Sequence, residues 1–330
     1  MNESLPGAII RPAWEPPAIA DAIVRLRAGR LVALPTETVY GLAARTMDPH
    51  AIARIYGTKG RPSDNPLIAH ASSVAMARTL AATWPATADR LARTLWPGPL
   101  TIVLPRSRDV PAIAAGGRDS IGIRIPAHPV ALELIHRLGE PVSAPSANRS
   151  GSLSPTEARH VMGDFVDQDL LVLDGGPARI GLESTVVDLR GDQPTVLRPG
   201  AVSPARLSAI LGFPVAAPTI DRQADGPGTA TLHYAPATPS RLCTAEEAGG
   251  RGVAVISFGL LGGPPQADRI GWLRLDVSDD PELAGSLLYA ALHAADVAGC
   301  DRIDIVSPPE TEEWVAIHDR LRRATAAADA

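Results

Sequence analysis

Lysine is almost missing from this 330-residue chain: among 31 basic residues the only one is Lys59. Alanine is abundant as well, the mark of a coding bias that writes arginine wherever either cation serves. A lysine that survives such pressure points to a site where a compact ammonium works and a planar guanidinium does not. Cysteine is nearly as scarce. Cys243 and Cys300 stand far apart without CxxC spacing, which excludes a disulfide framework or zinc site and leaves both as packing residues. Apolar runs stay short, and no window approaches the roughly 20 residues that a membrane span needs. The N-terminus MNESLPGAIIRP has no basic segment leading an apolar one, so a cytoplasmic location without membrane contact is expected. There is no dense block of Lys and Arg, and the net charge is −5, which argues against a protein whose main task is gripping nucleic-acid phosphates.

Several motifs are absent too. Without GxxxxGK[ST], any phosphate site is not a P-loop, and without GxGxxG a dinucleotide is not implied. The eight histidines form no HExxH or comparable ligand spacing, so no protein-held metal is expected. Neither GxSxG nor a Ser/His/Asp ordering supports nucleophilic hydrolysis. No repeat appears at solenoid periods.

What is present is the balance of an ordinary globular protein, 45% hydrophobic and 20% charged, long enough for two domains that each bury a core. Apolar residues recur at helical spacing from Ile19 to Leu26, with Gly29 and Arg30 closing that helix. The run LVALPTETVYGLAA reads as a strand ended by Pro35, a turn, and a second helix opened by the capping chemistry of Thr36, Glu37 and Thr38. Helices are expected over Asp48 to Tyr56, Ser73 to Leu95 and Val130 to Leu138, and from Pro155. Strands are expected at LIAHA, LTIVLP, SIGIRIP, PVSAPSAN, LLVLDGG, STVVDL and TVLRPG. Alternating strands and helices give an α/β fold, and the short turn-linked strands favour a mixed sheet over a doubly wound parallel one. Residues 1–210 form the first domain in this reading. The Pro-, Gly- and Thr-rich stretch over 211–240 is a linker whose length suits a lid or tether, and 241–330 is a small Rossmann-like β-α-β-α unit.

The densest polar loop is KGRPSDNPLIAH, Lys59 to His70, where two cations flank a glycine and prolines stiffen the backbone. Cations on a rigid loop suit a polyphosphate, each charge-assisted bond contributing about 1.5–3 kcal/mol. SAPSANRSGSLSPT, Ser143 to Thr156, lets backbone N–H groups and hydroxyls come close to a ligand. Arg124 lies inside the strand IGIRIP, where a charge is costly unless an anion meets it. A clamp on a ligand carboxylate and a salt bridge to an internal acid both satisfy that need. Ser184 in GLESTVVDL and Arg198 in VLRPG add a hydroxyl and a cation at strand ends. A lone histidine closing an apolar strand, as His70 does, is more often packing than catalysis.

Taken in order, LPTETVYGLAA, KGRPSDNPLIAH, WPGPLTIVLP, IGIRIPAHP, PVSAPSANRSG and GLESTVVDL resemble the YrdC-like domain of threonylcarbamoyl-AMP synthases. VLRPGAVSP, PGTATLHYAPATP and the terminal α/β unit resemble the long two-domain form of that family. The resemblance implies a YrdC-like mixed twisted sheet with flanking helices. It implies a nucleotidyltransferase that joins L-threonine, bicarbonate or CO2 and ATP into threonylcarbamoyl-adenylate with release of pyrophosphate. Mg2+ comes with the nucleotide. The product feeds the threonylcarbamoyladenosine modification of tRNA, completed by a separate transferase complex, so weak or no direct tRNA binding is expected. By similarity, Thr38, His70, Arg124, Ala144 and Ser184 surround threonine. Lys59, Arg61, Asn65, Ser120, Ser146, Ser154, Arg198 and Tyr234 surround ATP, with Lys59 and Arg61 neutralising phosphate charge and Tyr234 carried on the lid.

The chain departs from the pattern where Ala43 replaces a commoner glycine in YGLAA and where ETEEWVAIHDRLRRA lacks a glycine-rich entry. Two other readings exist. An RNA-binding, translation-associated module would show salt-steep RNA binding without ATP turnover. A carbamoyl-phosphate enzyme like the hydrogenase-maturation proteins would carry acylphosphatase and zinc-finger segments, which this chain lacks.

Overall fold

A computed structural model of the chain describes residues 7–216, 234–259 and 273–326. Two compact units emerge. The larger takes its described residues from Met1–Ser150, Pro155–Arg179 and Glu183–Thr229, the smaller from Gly151–Ser154, Ile180–Leu182 and Ala230–Ala330. Most of the expected linker, 217–233, lies outside the described residues.

The larger unit is built on a ten-stranded mixed sheet in the order β1-β8-β2-β3-β7-β4-β6-β5-β9-β10. Its strands are β1 (Ile9–Pro12), β2 (Val32–Leu34), β3 (Gly41–Arg45), β4 (Ile68–His70), β5 (Leu100–Pro105), β6 (Ser120–Arg124), β7 (Val142–Ser143), β8 (Leu171–Asp174), β9 (Thr185–Asp188) and β10 (Thr195–Arg198). Its helices are α1 (Pro16–Arg27), α2 (Pro49–Lys59), α3 (Val74–Thr79), α4 (Ala86–Leu95), α5 (Pro129–Leu138), α6 (Ala158–Phe165) and α7 (Pro204–Leu211). The mixed α/β sheet is as expected.

Four local expectations change. YGLAA continues as a strand, β3 pairing antiparallel with β2, because Thr36 to Val39 close a hairpin instead of capping a helix. The Ser73 to Leu95 helix is two, α3 and α4, divided before Ala86 by Trp84 and Pro85. The helix expected from Pro155 begins at Ala158. Lys59 is in the last turn of α2, which starts at the Asp48 cap over His50 and Ala51 and stops at Gly60, left-handed at φ 61°.

Strand alternation sorts this sheet into two faces. One buries Leu42, Ala44, Ala69, Ile102, Ile121, Ile123 and Val187 with Ile52 and Ile55 of α2 and Leu91 and Leu95 of α4. On the other face α1 and α5 cover β8, β2, β3 and β7 through Ala22, Leu26, Leu134 and Ile135 against Val32, Leu34, Val142 and Leu171. Over β4, β6, β5 and β9 that face carries the polar side chains of His70, Ser120, Arg124 and Thr101 beside a small apolar cluster of Val103, Val186 and Leu197.

The smaller unit has a four-stranded parallel sheet, β11-β14-β12-β13, from β11 (Ser240–Cys243), β12 (Val253–Phe258), β13 (Leu273–Val277) and β14 (Arg302–Val306). Two more helices, α8 (Pro281–Asp296) and α9 (Val315–Thr325), belong to it. The Asp280 side chain caps α8 at Leu283 N. The parallel sheet agrees with the Rossmann-like expectation, with β11 and β13 additional to the two expected strands.

Candidate active site

Along β6 the side chains of Ser120 and Arg124 alternate with the core residues Ile121 and Ile123, so both lie on the face that the apolar helices leave to polar groups. His70 is the register partner of Arg124 on the parallel neighbour β4 and shares that face. On the antiparallel side, Thr101 of β5 precedes the core residue Ile102, which pairs with Ile123. Its hydroxyl shares a 2.7 Å hydrogen bond with the Ser184 hydroxyl. Arg198, at the end of β10, donates through Nη2 to Ser184 O at 2.9 Å and Ser184 Oγ at 3.2 Å. A polar row thus crosses four strands. Gly200 closes it, because a Cβ there would meet Thr185 N at 2.5 Å and Glu183 O at 2.6 Å.

Arg124 is bound on three sides. Nε donates to Gly98 O at 3.2 Å, Nη1 to Thr38 Oγ1 at 2.9 Å and Nη2 to Glu37 Oε1 at 2.7 Å. A guanidinium has five N–H groups, so two are without an acceptor among the described residues. Glu37 Oε2 accepts from Ala127 N at 2.9 Å. Burial alone would raise the Glu37 carboxyl, but the Arg124 charge, its hydrogen bond and two backbone donors hold it below its ordinary value. Thr36 Oγ1 accepts from the N–H groups of Thr38 and Val39 and lies 2.8 Å from Thr38 Oγ1, fixing the hydroxyl that meets Arg124.

His70 is 3% exposed, and burial with the nearby Arg124 charge lowers its pKa from 6.5 to about 3. Nδ1 lies 3.2 Å from Ile68 O, which can only accept, so the proton is on Nδ1 and Nε2 is an acceptor. The unfolded chain takes up this proton near pH 6.5 and the folded chain does not, so the associated stability is present above that pH and drains away as pH falls toward 3. Chemical unfolding of His70→Gln against wild type checks this. The wild type is expected to lose about 1.4 kcal/mol more per pH unit below pH 6, and parallel curves would contradict it.

Around the end of α2 a second cluster forms. The Lys59 ammonium donates to Ser146 O at 2.6 Å, to Asn148 O, and to Asn148 Oδ1 at 3.4 Å. Ser150 N returns a bond to Lys59 O at 2.8 Å. Burial, then Arg61, push the Lys59 pKa well below its ordinary value, with Asp164 opposing. Three oxygen acceptors are all satisfied only by a protonated ammonium. Lys59 therefore pins the Ser146–Asn148 loop rather than standing in solvent. Arg61 donates to Asn65 Oδ1 at 2.6 Å, Asn65 O at 3.2 Å and Pro66 O at 3.0 Å, folding the GRPSDNP loop on itself. Ala144 N bonds Ile68 O at 3.0 Å, placing that backbone one strand from His70.

Of the residues expected at the site, Thr38, His70, Arg124, Ser184, Arg198 and Ser120 share this face or reach onto it, and Ala144 borders it. Lys59 with Ser146, and Arg61 with Asn65, form the two groups beside the end of α2. Ser154 and Tyr234 belong to the smaller unit. There His293 Nε2 lies 3.1 Å from Ser154 O. Tyr234 is buried with φ 65°, its ring 5.9 Å from that of Tyr289 and 5.2 Å from the Arg320 guanidinium carbon. Glu37, Thr36, Thr101 and Asn148 carry no ligand role in the sequence reading. The signal for Glu37 was present: an acid in an apolar run needs a cation, and Arg124 in IGIRIP needs an anion.

No helix among the described residues is long and apolar enough to cross a membrane, and the described residues hold no group of three or more His, Cys, Asp or Glu suited to a metal. A family model described as "Telomere recombination" matches residues 24–200, and one described as "Threonylcarbamoyl-AMP synthase, C-terminal domain" matches 202–326. The chain is 39% identical to the threonylcarbamoyl-AMP synthase of Pyrococcus abyssi over 91% of its own length and 92% of the relative's. It is 38% identical to that of Bacillus subtilis over 93% of each. The crystal structure of P. abyssi Sua5 complexed with L-threonine superposes with a TM-score of 0.84 at 37% identity, covering 97% of both chains.

Proposed function

The chain belongs to the threonylcarbamoyl-AMP synthase family and is an enzyme of that kind, and we propose that it converts L-threonine, bicarbonate or CO2 and ATP into threonylcarbamoyl-adenylate and pyrophosphate for tRNA modification. The observation that carries the reading is Arg124, clamped by Thr38 and Glu37 with two N–H groups to spare, at one end of a polar row that leads through Ser184 to Arg198. A carboxylate fits the spare donors of Arg124. His70 Nε2, uncharged, accepts a hydrogen bond from the amine or hydroxyl of threonine.

The threonine ammonium gives one proton to solvent, adds through the freed lone pair to CO2, and loses a second proton to solvent as the carbamate forms. A carbamate oxygen then attacks the α-phosphorus of ATP, and the bond to the bridging oxygen breaks as pyrophosphate departs. No side chain becomes a covalent nucleophile. Catalysis rests on holding the two substrates side by side and neutralising phosphate charge. Arg61, Arg198 and the backbone of Ser146, held by Lys59, suit that task, with Asn65 and Ser120 beside them in the larger unit. Mg2+ arrives as part of Mg·ATP and supplies charge neutralisation on the phosphates. Residues 1–210 are the catalytic domain in this reading, the 211–240 segment its lid, and the product passes to a separate transferase complex in the cytoplasm.

Pyrophosphate release from ATP is expected only when L-threonine and bicarbonate are both supplied. Release that ignores either one, or salt-steep RNA binding with no release, would sink the proposal.

A further inference from the structure

An arginine kept for a substrate carboxylate does not itself require an acid, and a bare one would draw any small anion. Arg124 nevertheless carries Glu37 at 2.7 Å, with both side chains 4% exposed. The neighbouring ionisable groups add no charge. His70 holds its proton on Nδ1 against Ile68 O. His128 accepts from Val130 N at 3.2 Å through Nδ1, as an unprotonated ring does, and its pKa is lowered by burial. Thr36, Thr38 and Thr101 are uncharged hydroxyls, and Arg198 is met further along the row, on Ser184.

From this juxtaposition we infer that Glu37 is a specificity-determining residue: it cancels the charge of Arg124, so that the site takes an amino-acid zwitterion and turns away a bare carboxylate of the same shape. A ligand carboxylate on the spare Arg124 donors comes within a few ångströms of the Glu37 carboxylate and is repelled by it. An α-ammonium, one carbon from the ligand carboxylate, removes that repulsion. A ligand without it does not. The inference rests on the reading that Arg124 receives the threonine carboxylate.

Calorimetric titration of the full chain with L-threonine and with 3-hydroxybutyrate, which has the same skeleton without the amine, tests it. Wild type is expected to prefer threonine by about 100-fold, the scale of one like-charge contact in a site that excludes water. Glu37→Gln keeps an oxygen for Arg124 and removes the charge. It is expected to tighten 3-hydroxybutyrate by about 10-fold and weaken threonine by about 10-fold. A purely structural role would weaken both ligands in parallel, and an unchanged ratio in that variant overturns the inference. If the variant does not fold, the wild-type titration still decides, since equal affinities for the two ligands would overturn it. An Arg124→Gln protein that binds threonine like wild type would instead remove the functional reading beneath.

Discussion

Arg124→Ala is expected to raise the KM for L-threonine by roughly 10- to 100-fold, the worth of one or two lost charge-assisted hydrogen bonds, while the KM for ATP moves little. The change also strands Glu37, whose carboxylate is buried and whose Nη2 partner is gone. Leaving one member of a buried pair costs about 3–5 kcal/mol unless the carboxyl takes up a proton. The stability deficit of Arg124→Ala against wild type is therefore expected to be larger at pH 8 than at pH 5, because the lone carboxyl titrates upward and is neutral at the lower pH. Combining Arg124→Ala with Glu37→Gln removes that stability cost and should leave the threonine defect standing. Steady-state kinetics on both proteins separate the two effects. A threonine KM unchanged in either would count against the role of Arg124.

Lys59→Arg is the second large effect, expected to lower turnover at least 10-fold and the melting temperature of the larger unit by about 5 °C. The site is 2% exposed, and one ammonium nitrogen donates to three acceptors there, Ser146 O, Asn148 O and Asn148 Oδ1. A planar guanidinium is bulkier and cannot meet all three from one nitrogen. Lys59→Met should be worse for stability, since every buried carbonyl left without a donor costs about 1–3 kcal/mol. The lone lysine of an arginine-rich chain is thereby explained by the loop it holds. Scanning calorimetry with single-turnover kinetics checks this, and wild-type values for Lys59→Arg would contradict it.

How far the sequence carries is clearest at individual residues. The strand at IGIRIP was legible from alternation, and the cost of burying Arg124 there called for an anion. That the anion includes Glu37, 87 positions away, was not legible, because the hairpin that delivers it was read as a helix cap. The difference has a physical cause: Leu42, Ala43 and Ala44 favour helix locally, and only the pairing of β3 with β2 on one side and β7 on the other makes them a strand. The break between α3 and α4 could have been read, since Pro85 has no N–H and disfavours helix at Trp84. For Lys59, composition marked the residue and its burial gave the reason. The role expected for it, facing phosphate from a loop, did not include the carbonyls of Ser146 and Asn148, which approach only through the tertiary fold.

All of these expectations share one claim, that the polar face over β4, β6, β5 and β9 is where threonine and the α-phosphate of ATP meet. A crystal structure of this chain with L-threonine and a non-hydrolysable ATP analogue tests it most directly. The account predicts the threonine carboxylate within hydrogen-bond distance of Arg124 and Thr38, its amine or hydroxyl on His70 Nε2, and the α-phosphate on the Arg198 side of Ser184. Threonine bound away from Arg124, or a nucleotide held wholly within the smaller unit, would contradict it.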